Sequence, residues 1–355
     1  MSIYGFTCTA RCDLAKLPPQ IVRREKILAI NFKYLGDVAI CTTALKALHH
    51  QVPHAEIHAL VTSEAVPVLN SIPWIKRVWG LLRGRGYNAL KNDLKIIRQL
   101  RAEQFDKSVD FEGNDRGAIV SCLIGATNSL GQVFQRGPKW RNWCYDTTVE
   151  SLDTNRHETV RYCHLLQPWG ITLPEDLTGV IHHNPVFTKQ VPKNIRDSII
   201  VHCTASKQKK EWGSFHLAEL HNIARENNVK LTFSAGPSAR ERSYLDTLKS
   251  EIAGAEFMPP NDSLDQFISV LAQCKAVISM DTSILHIAAG LGKPTVGIFG
   301  PTSSDRWAPL NSNHASVQGH HCICSGHNES CGLQERCIDT IQPRQIWDAL
   351  STVCH

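Results

Sequence analysis

"INFKYLGDVAICTTALKAL", residues 30 to 48, is the stretch that decides how this chain folds. The apolar run Ile27 to Ile30 reads as a strand that reaches Gly36, after which Val38, Thr42, Leu45 and Leu48 recur at helical spacing. Strand, glycine turn and striped helix form the opening of a βαβ unit, where a phosphate ordinarily sits on the helix N-terminus. Here Gly36 is followed by Asp37, and a carboxylate at that turn repels phosphate. The first turn is therefore built for another task.

Outward from this stretch the first half alternates strand-like and helical patterns: "AEIHALV", a helix from Ser63, "IKRVWGL", a basic helix, then "FDKSVDFEG". Residues 173–197, rich in Pro, His and Asn, interrupt the alternation and read as a linker. The second half restarts it with "SIIVHCTASKQKKEWGSFHLAEL", "VKLTFSAGPSARER", "AEFMPP", a helix through "LDQFISVLAQC", "KAVISMDTSILHIAAGLG" and "PTVGIFGP". Two βαβα successions predict an α/β protein of two Rossmann-like domains with mostly parallel sheets, and a ligand in the cleft between them. The expected division is a short extension over 1–25, one domain over 26–185 and a second over 186–355. A chain of 355 residues is long enough for two cores.

Hydrophobic residues make up 42% and charged residues 20%, ordinary for a globular enzyme. No apolar run is long enough to span a bilayer, and the first 26 residues lack the apolar centre of a signal peptide, so a cytoplasmic protein is expected. The net charge of +5 is modest and predicts no nucleic-acid partner. Its distribution is uneven. From Lys76 to Arg101 there are eight basic residues and one acid, with Lys91, Lys95 and Arg98 on one helical face and Leu90, Leu94 and Ile97 on another. Such a helix is either a solvated face or a surface for an anionic lipid or acceptor.

The phosphate site missing from the first turn is legible in the second half. Asp281, Thr282 and Ser283 stand where strand "AVISM" turns into a helix, and the small residues Ala288, Ala289 and Gly290 allow close packing. These are also ordinary helix caps. The loop "HCTASKQKKEW" decides for binding, because it sets Thr204, Ser206, Lys209 and Lys210 at the end of another strand on the same sheet edge. Hydroxyls and ammonium groups facing a helix N-terminus make a diphosphate cradle. Glu241, in a third turn, is placed to hold a nucleoside. Asp37 then faces the diphosphate from the other domain, where a carboxylate suits a general base acting on an acceptor hydroxyl.

Together "INFKYLGDVAICTTALKAL", "VDFEGNDRG", "KKEWGSFHLAEL", "SAGP" and "DTSILHIAAGLGKPTVGIFGP" resemble the heptosyltransferase family, glycosyltransferase family 9, in the same order from Lys26 onward. The resemblance implies a GT-B fold, an ADP-heptose donor in the second domain and a lipopolysaccharide core acceptor in the first. It also implies an inverting reaction that requires no metal. Asp37 matches the family's catalytic aspartate, Lys210 its phosphate lysine before x-Trp, and Asp281, Thr282 and His286 its donor motif. Ser283 replaces the motif's usual glycine, and the lysine loop is one residue longer, which leaves Lys209 as an alternative to Lys210. Serine hydroxyls of a protein are the alternative acceptor, and a catalytically silent nucleotide-sugar scaffold is the alternative of another class. Asp37 speaks against the scaffold, since binding alone gains nothing from a carboxylate there.

Near the C-terminus Cys322, Cys324, Cys331 and Cys337 fall within sixteen residues. Four thiolates so spaced are either a structural zinc or iron site or ordinary thiols of an intracellular protein, since Cys-x-Cys is tighter than the usual zinc knuckle.

Overall fold

The computed structural model describes residues 23–83, 87–135, 137–153, 155–188, 191–320 and 336–354. Two six-stranded, wholly parallel sheets organise them. The first contains β1 (Lys26–Asn31), β2 (Glu56–Thr62), β3 (Ile75–Leu81), β4 (Lys107–Asp110), β5 (Asn128–Val133) and β6 (Thr147–Glu150), in the order β3-β2-β1-β4-β5-β6. The second contains β7 (Ile199–His202), β8 (Leu231–Ser234), β9 (Glu256–Phe257), β10 (Ala276–Met280), β11 (Thr295–Phe299) and β12 (His314–Gln318), in the order β12-β11-β10-β7-β8-β9. Both orders are the doubly wound pattern, which reverses direction beside its first strand. The crevices at strand ends therefore open between β1 and β4 and between β7 and β10.

The first sheet carries α1 (Leu35–Gln51), α2 (Val66–Leu69), α3 (Tyr87–Ala102), α4 (Asp115–Ile124) and α5 (Glu158–Leu165). Two short helices, α6 (Pro185–Thr188) and α7 (Lys193–Arg196), lie in the connection. The second sheet carries α8 (Ser214–Glu226), α9 (Ala239–Glu251), α10 (Leu264–Gln273), α11 (Ser283–Gly290), α12 (Ser304–Trp307) and α13 (Pro343–Val353). The linker expected over 173–197 falls between the sheets. The helix expected from Ser63 is one 3₁₀ turn followed by four α-helical residues, with Pro67 in its first turn.

Burial explains how the halves are joined. β1 is buried along almost its whole length, as a central parallel strand must be. Helix α1 buries ten residues from Val38 to Leu48 on nearly every side, the sign of a helix with neighbours all round. Its neighbours are α2, α5 and, from the other half, α11, and its apolar residues share a cluster with Ile27 and Ala29 of β1. Val38 and Leu45 share one apolar cluster with Ile284 and Ile287, so one core spans both halves. Glycine also lets the connection between the sheets pack against α11: a Cβ on Gly290 would come within 2.8 Å of Ile181.

A polar latch lies beside this core. Glu158, buried in α5, accepts from Arg161 and from Arg306 Nε of α12 at 3.0 Å. His157 donates through Nε2 to the carbonyl of Ala308 at 2.7 Å and accepts at Nδ1 from the amide of Thr159. Burial lowers the His157 pKa, consistent with this neutral tautomer.

Candidate functional site

Asp37 is the third residue of α1, inside the first helical turn, where unpaired backbone N–H groups and the helix dipole favour a carboxylate. That answers the sequence-level puzzle: the turn supplies its own anion. The phenol of Tyr162 on α5 donates to Asp37 Oδ1 at 3.1 Å. Lys33 Nζ stands 3.7 Å from the same oxygen and donates to the Tyr162 hydroxyl at 3.3 Å. Burial and the adjacent Asp37 carboxylate raise the Tyr162 pKa well above the ordinary phenol value, so it stays a proton donor.

Two more carboxylates close the β4 side of this mouth. Asp110 is fully buried at the end of β4, accepting from Tyr145 at 2.5 Å and from the Glu112 amide at 2.9 Å. Gly117 is obligatory beside it, because any Cβ would occupy the Asp110 carboxyl. Burial raises the Asp110 pKa, and burial together with Asp110 and Asp37 raises that of Glu112, against the pull of Lys33. Glu112 Oε2 is buried without a hydrogen-bond partner among the described residues.

At the other switch point the charge is reversed. Lys210, ending a 3₁₀ turn (Gln208–Lys210) after β7, donates to Asp281 Oδ2 at 2.7 Å, just past β10. His286 Nε2 lies 3.7 Å from Asp281 Oδ1. Burial works against the Asp281 charge, but His286 and Lys210 outweigh it and hold the carboxyl well below the usual carboxylate range. Asp281 thus anchors Lys210 at the edge of this mouth. The cap of α11 is Thr282, whose hydroxyl accepts from the amide of Ile284 at 3.3 Å, and Ser283 is the first helical residue.

The two mouths touch. A Cβ on Gly36 would lie 3.3 Å from His286 Cδ2 and 3.4 Å from Ser283 Cα, so the β1–α1 turn is set against the N-terminus of α11. Asp37, Lys210, Asp281, Thr282, Ser283 and His286 are thereby gathered where the two halves meet.

Other expected residues take different places. Thr204 is fully buried and its hydroxyl accepts from the Gly236 amide at 2.8 Å, stitching two strand-end loops together. Ser206 is exposed in the lysine loop. Lys209 is buried, with no hydrogen-bond partner for its ammonium among the described residues. Glu241 closes the capping box of α9 with Ser238. Lys91, Lys95 and Arg98 are exposed on α3, and Leu94 joins them, a correction to its expected place on the apolar face. Ile96, Ile97 and Leu100 supply the packing instead, against Leu28, Phe32 and Val120.

Cys322, Cys324 and Cys331 lie outside the described residues; Cys337 is buried in a 3₁₀ turn (Cys337–Thr340). Among the described residues no three metal-ligating side chains gather.

Sequence reading passed over Tyr162 and Lys33, and also Glu211 and Arg240. Glu211 is buried, accepts from the Ala205 amide at 3.0 Å and pairs with Arg240 at 2.8 Å, fixing the lysine loop. A charge inside "KKEWG", between lysines and a fully buried tryptophan, was the available signal. Tyr162 gave none, being 125 positions from Asp37.

Residues 94–333 match the model of glycosyltransferase family 9 (heptosyltransferase). The chain belongs to that family. Among curated relatives, lipopolysaccharide heptosyltransferase 2 of Escherichia coli K12 is 24% identical over 346 residues, covering 92% of this chain and 98% of the relative. Lipopolysaccharide heptosyltransferase 3 of the same strain is 23% identical over 297 residues, covering 79% and 84%. Among solved structures, a family 9 glycosyltransferase of Veillonella parvula superposes with a TM-score of 0.81 at 16% identity, covering 93% of this chain and 97% of that one. E. coli ADP-heptose lps heptosyltransferase II superposes at 0.74 with 20% identity, covering 93% and 98%. The fold is therefore GT-B, and the protein is a glycosyltransferase of the heptosyltransferase family. No described helix is long and apolar enough to cross a membrane.

Proposed function

We propose that this glycosyltransferase moves heptose from ADP-heptose to a hydroxyl of the lipopolysaccharide inner core, with inversion and without a required metal. Residues 26–185 form the acceptor half and residues 186–355 the donor half, acting on the cytoplasmic side of the membrane that carries the acceptor. One observation carries this reading: Gly36 is packed on the N-terminus of α11, which puts a carboxylate mouth against an ammonium-bearing one.

In this mechanism the diphosphate lies over the N-terminus of α11, where Lys210, the Thr282 and Ser283 groups and free amides meet it. Lys209 and Ser206 add to the cradle, and Thr204 and Glu241 shape its rim. Lys210 neutralises charge that grows on the diphosphate as the glycosidic C–O bond breaks. Asp37 takes the proton of the acceptor hydroxyl as its oxygen attacks the anomeric carbon from the face opposite ADP. Tyr162 holds Asp37 in one rotamer. Lipopolysaccharide heptosyltransferases among the relatives support the acceptor, and an E. coli heptosyltransferase solved with ADP supports the donor.

The test is transfer of heptose from ADP-heptose to a heptose-free lipid A core, read by mass. Addition of one heptose, with inverted anomeric configuration, is expected. Transfer to serine hydroxyls of an adhesin with none to the lipid core would replace the acceptor. Failure with both, alongside tight ADP binding, would favour a silent scaffold.

A further inference from the structure

We infer that α3, α4 and the 3₁₀ turn Lys139–Cys144 form an interfacial docking face for an anionic bilayer. The observation is an unusual surface. Trp143 is 86% exposed, and Trp140 of the same turn, Ile119 and Leu123 of α4 and Leu94 of α3 are exposed as well. Single exposed apolar residues are ordinary, but several on three touching elements mark an interaction site.

The elements are contiguous and held rigidly. Helix α3 packs on α4, and α4 on the 3₁₀ turn. Arg116 of α4 pairs with Asp93 of α3 at 2.8 Å, while Arg101 near the end of α3 donates to the carbonyl of Leu123 at 3.3 Å. The helices therefore run side by side. Between the two tryptophans, Arg141 turns inward to Asp115 at 2.8 Å and to the carbonyl of Gly113 at 2.9 Å. That clamp keeps Trp140 and Trp143 outward.

Charge selects the occupant. Lys91, Leu94, Lys95 and Arg98 follow at i, i+3, i+4 and i+7 on one exposed stripe. Asp93, which is not exposed, is already paired with Arg116, and among the described residues no carboxylate forms an ion pair with Lys91, Lys95 or Arg98. Exposed tryptophan and leucine beside lysine and arginine match the headgroup boundary of an anionic bilayer: rings and aliphatic chains enter the interface while cations stay with phosphate. The face also borders the Asp37 mouth. Arg83 donates to the carbonyl of Lys33 and covers the ring of Tyr34, which caps α1, while Arg116 donates to the carbonyl of Leu82. Docking there would present a membrane-held acceptor directly to Asp37. The inference rests on the proposed lipid acceptor only for that benefit; vesicle binding itself requires no sugar.

The test is partition of the full chain onto phosphatidylglycerol vesicles and onto phosphatidylcholine vesicles, at low and high salt. Strong, salt-sensitive binding to the anionic vesicles is expected, with a blue shift of tryptophan fluorescence. Each cation near the surface contributes about fivefold, so Lys91→Gln with Lys95→Gln and Arg98→Gln should weaken binding on the order of 100-fold at low salt. Trp140→Ser with Trp143→Ser should weaken it by about tenfold and abolish the shift. An ADP-binding titration reports whether each variant is folded; for a misfolded one, Trp143→Ser alone replaces it. No affinity for anionic vesicles, as a face for a protein partner would show, overturns the inference. So does equal binding by wild type and folded variants. Vesicle binding with no transfer to lipid core would instead defeat the acceptor reading and leave the docking face standing.

Discussion

The crevice between β1 and β4 and the crevice between β7 and β10 have the same topology and opposite chemistry. At the first, Asp37, Asp110 and Glu112 all feel the charge of Lys33, which stands 3.7 Å from Asp37, and the latter two carboxyls are pushed toward their neutral forms by burial. At the second, Lys210 and buried Lys209 accompany Asp281, which is held by Lys210 and His286, and buried Glu211, which is paired with Arg240. One topology thus carries two chemistries, because the strand-end loops and not the sheet set the charge. In the proposed mechanism the carboxylate crevice removes a proton and the ammonium crevice holds the leaving diphosphate.

The largest expected effect breaks the first crevice alone. Asp37→Asn should lower turnover by roughly 10²–10⁴ while ADP affinity stays within about twofold, measured by steady-state kinetics and calorimetry. Activity above half of wild type would return the chemistry to another group. Lys210→Ala should break the second crevice, with ADP affinity and turnover each falling by about 10- to 100-fold. It also leaves Asp281 buried beside His286 alone, so the melting temperature should drop. A larger loss of donor affinity from Lys209→Ala would move the phosphate contact one residue back.

Tyr162→Phe should act on turnover only, by about tenfold, since one hydrogen bond to a charged group is worth roughly 1.5–3 kcal/mol and part of it returns through water. KM for both substrates should stay unchanged, because the phenol orients the Asp37 carboxylate and is placed on neither substrate. A purely structural tyrosine would instead lower the melting temperature and leave turnover in place.

The smallest effect on activity sharpens the comparison through pH. Burial lowers His202 to about 4, and burial with nearby His286 lowers His314 to about 4, both in the donor half. Their stabilising contribution is complete above the ordinary value of 6.5 and is lost as pH falls from there toward 4. Asp110 and Glu112 have raised values, so their contribution has the opposite sign: present in acid and lost as pH rises through the folded value. Hydrogen exchange at pH 4.5 and pH 7, corrected for intrinsic rates, should show lost protection in β7 and β12 and not in β1 and β4. Equal loss in both sheets would remove the asymmetry.

Much of this was legible in the sequence because parallel strands are short apolar runs and the connecting helices carry a 3.6-residue stripe. The strands flanking Asp37, Lys210 and Asp281 were read from such runs. β5, β6 and β12 were not: "TTVE" and "HASVQ" are half-exposed edge strands, and "NSLGQV", though mostly buried, mixes polar residues and a glycine into its run. Asp37 and Lys210 stood out as charges at strand-to-helix turns. The pairing of Lys210 with Asp281 spans 71 positions and that of Tyr162 with Asp37 spans 125, so only the folded chain reveals that Asp281 anchors the lysine. Glu241 shows the converse: its local capping-box pattern with Ser238 was present in the sequence three residues away, and the fold forms it.

The division of labour between the crevices is tested most directly by a crystal structure with ADP bound. The account places the diphosphate at the N-terminus of α11, within hydrogen-bond distance of Lys210 Nζ, with the Asp37 carboxylate free and facing the position of the anomeric carbon. A diphosphate seated on the β1–α1 turn beside Asp37, with Lys210 still closed on Asp281 and no phosphate near it, would contradict the account.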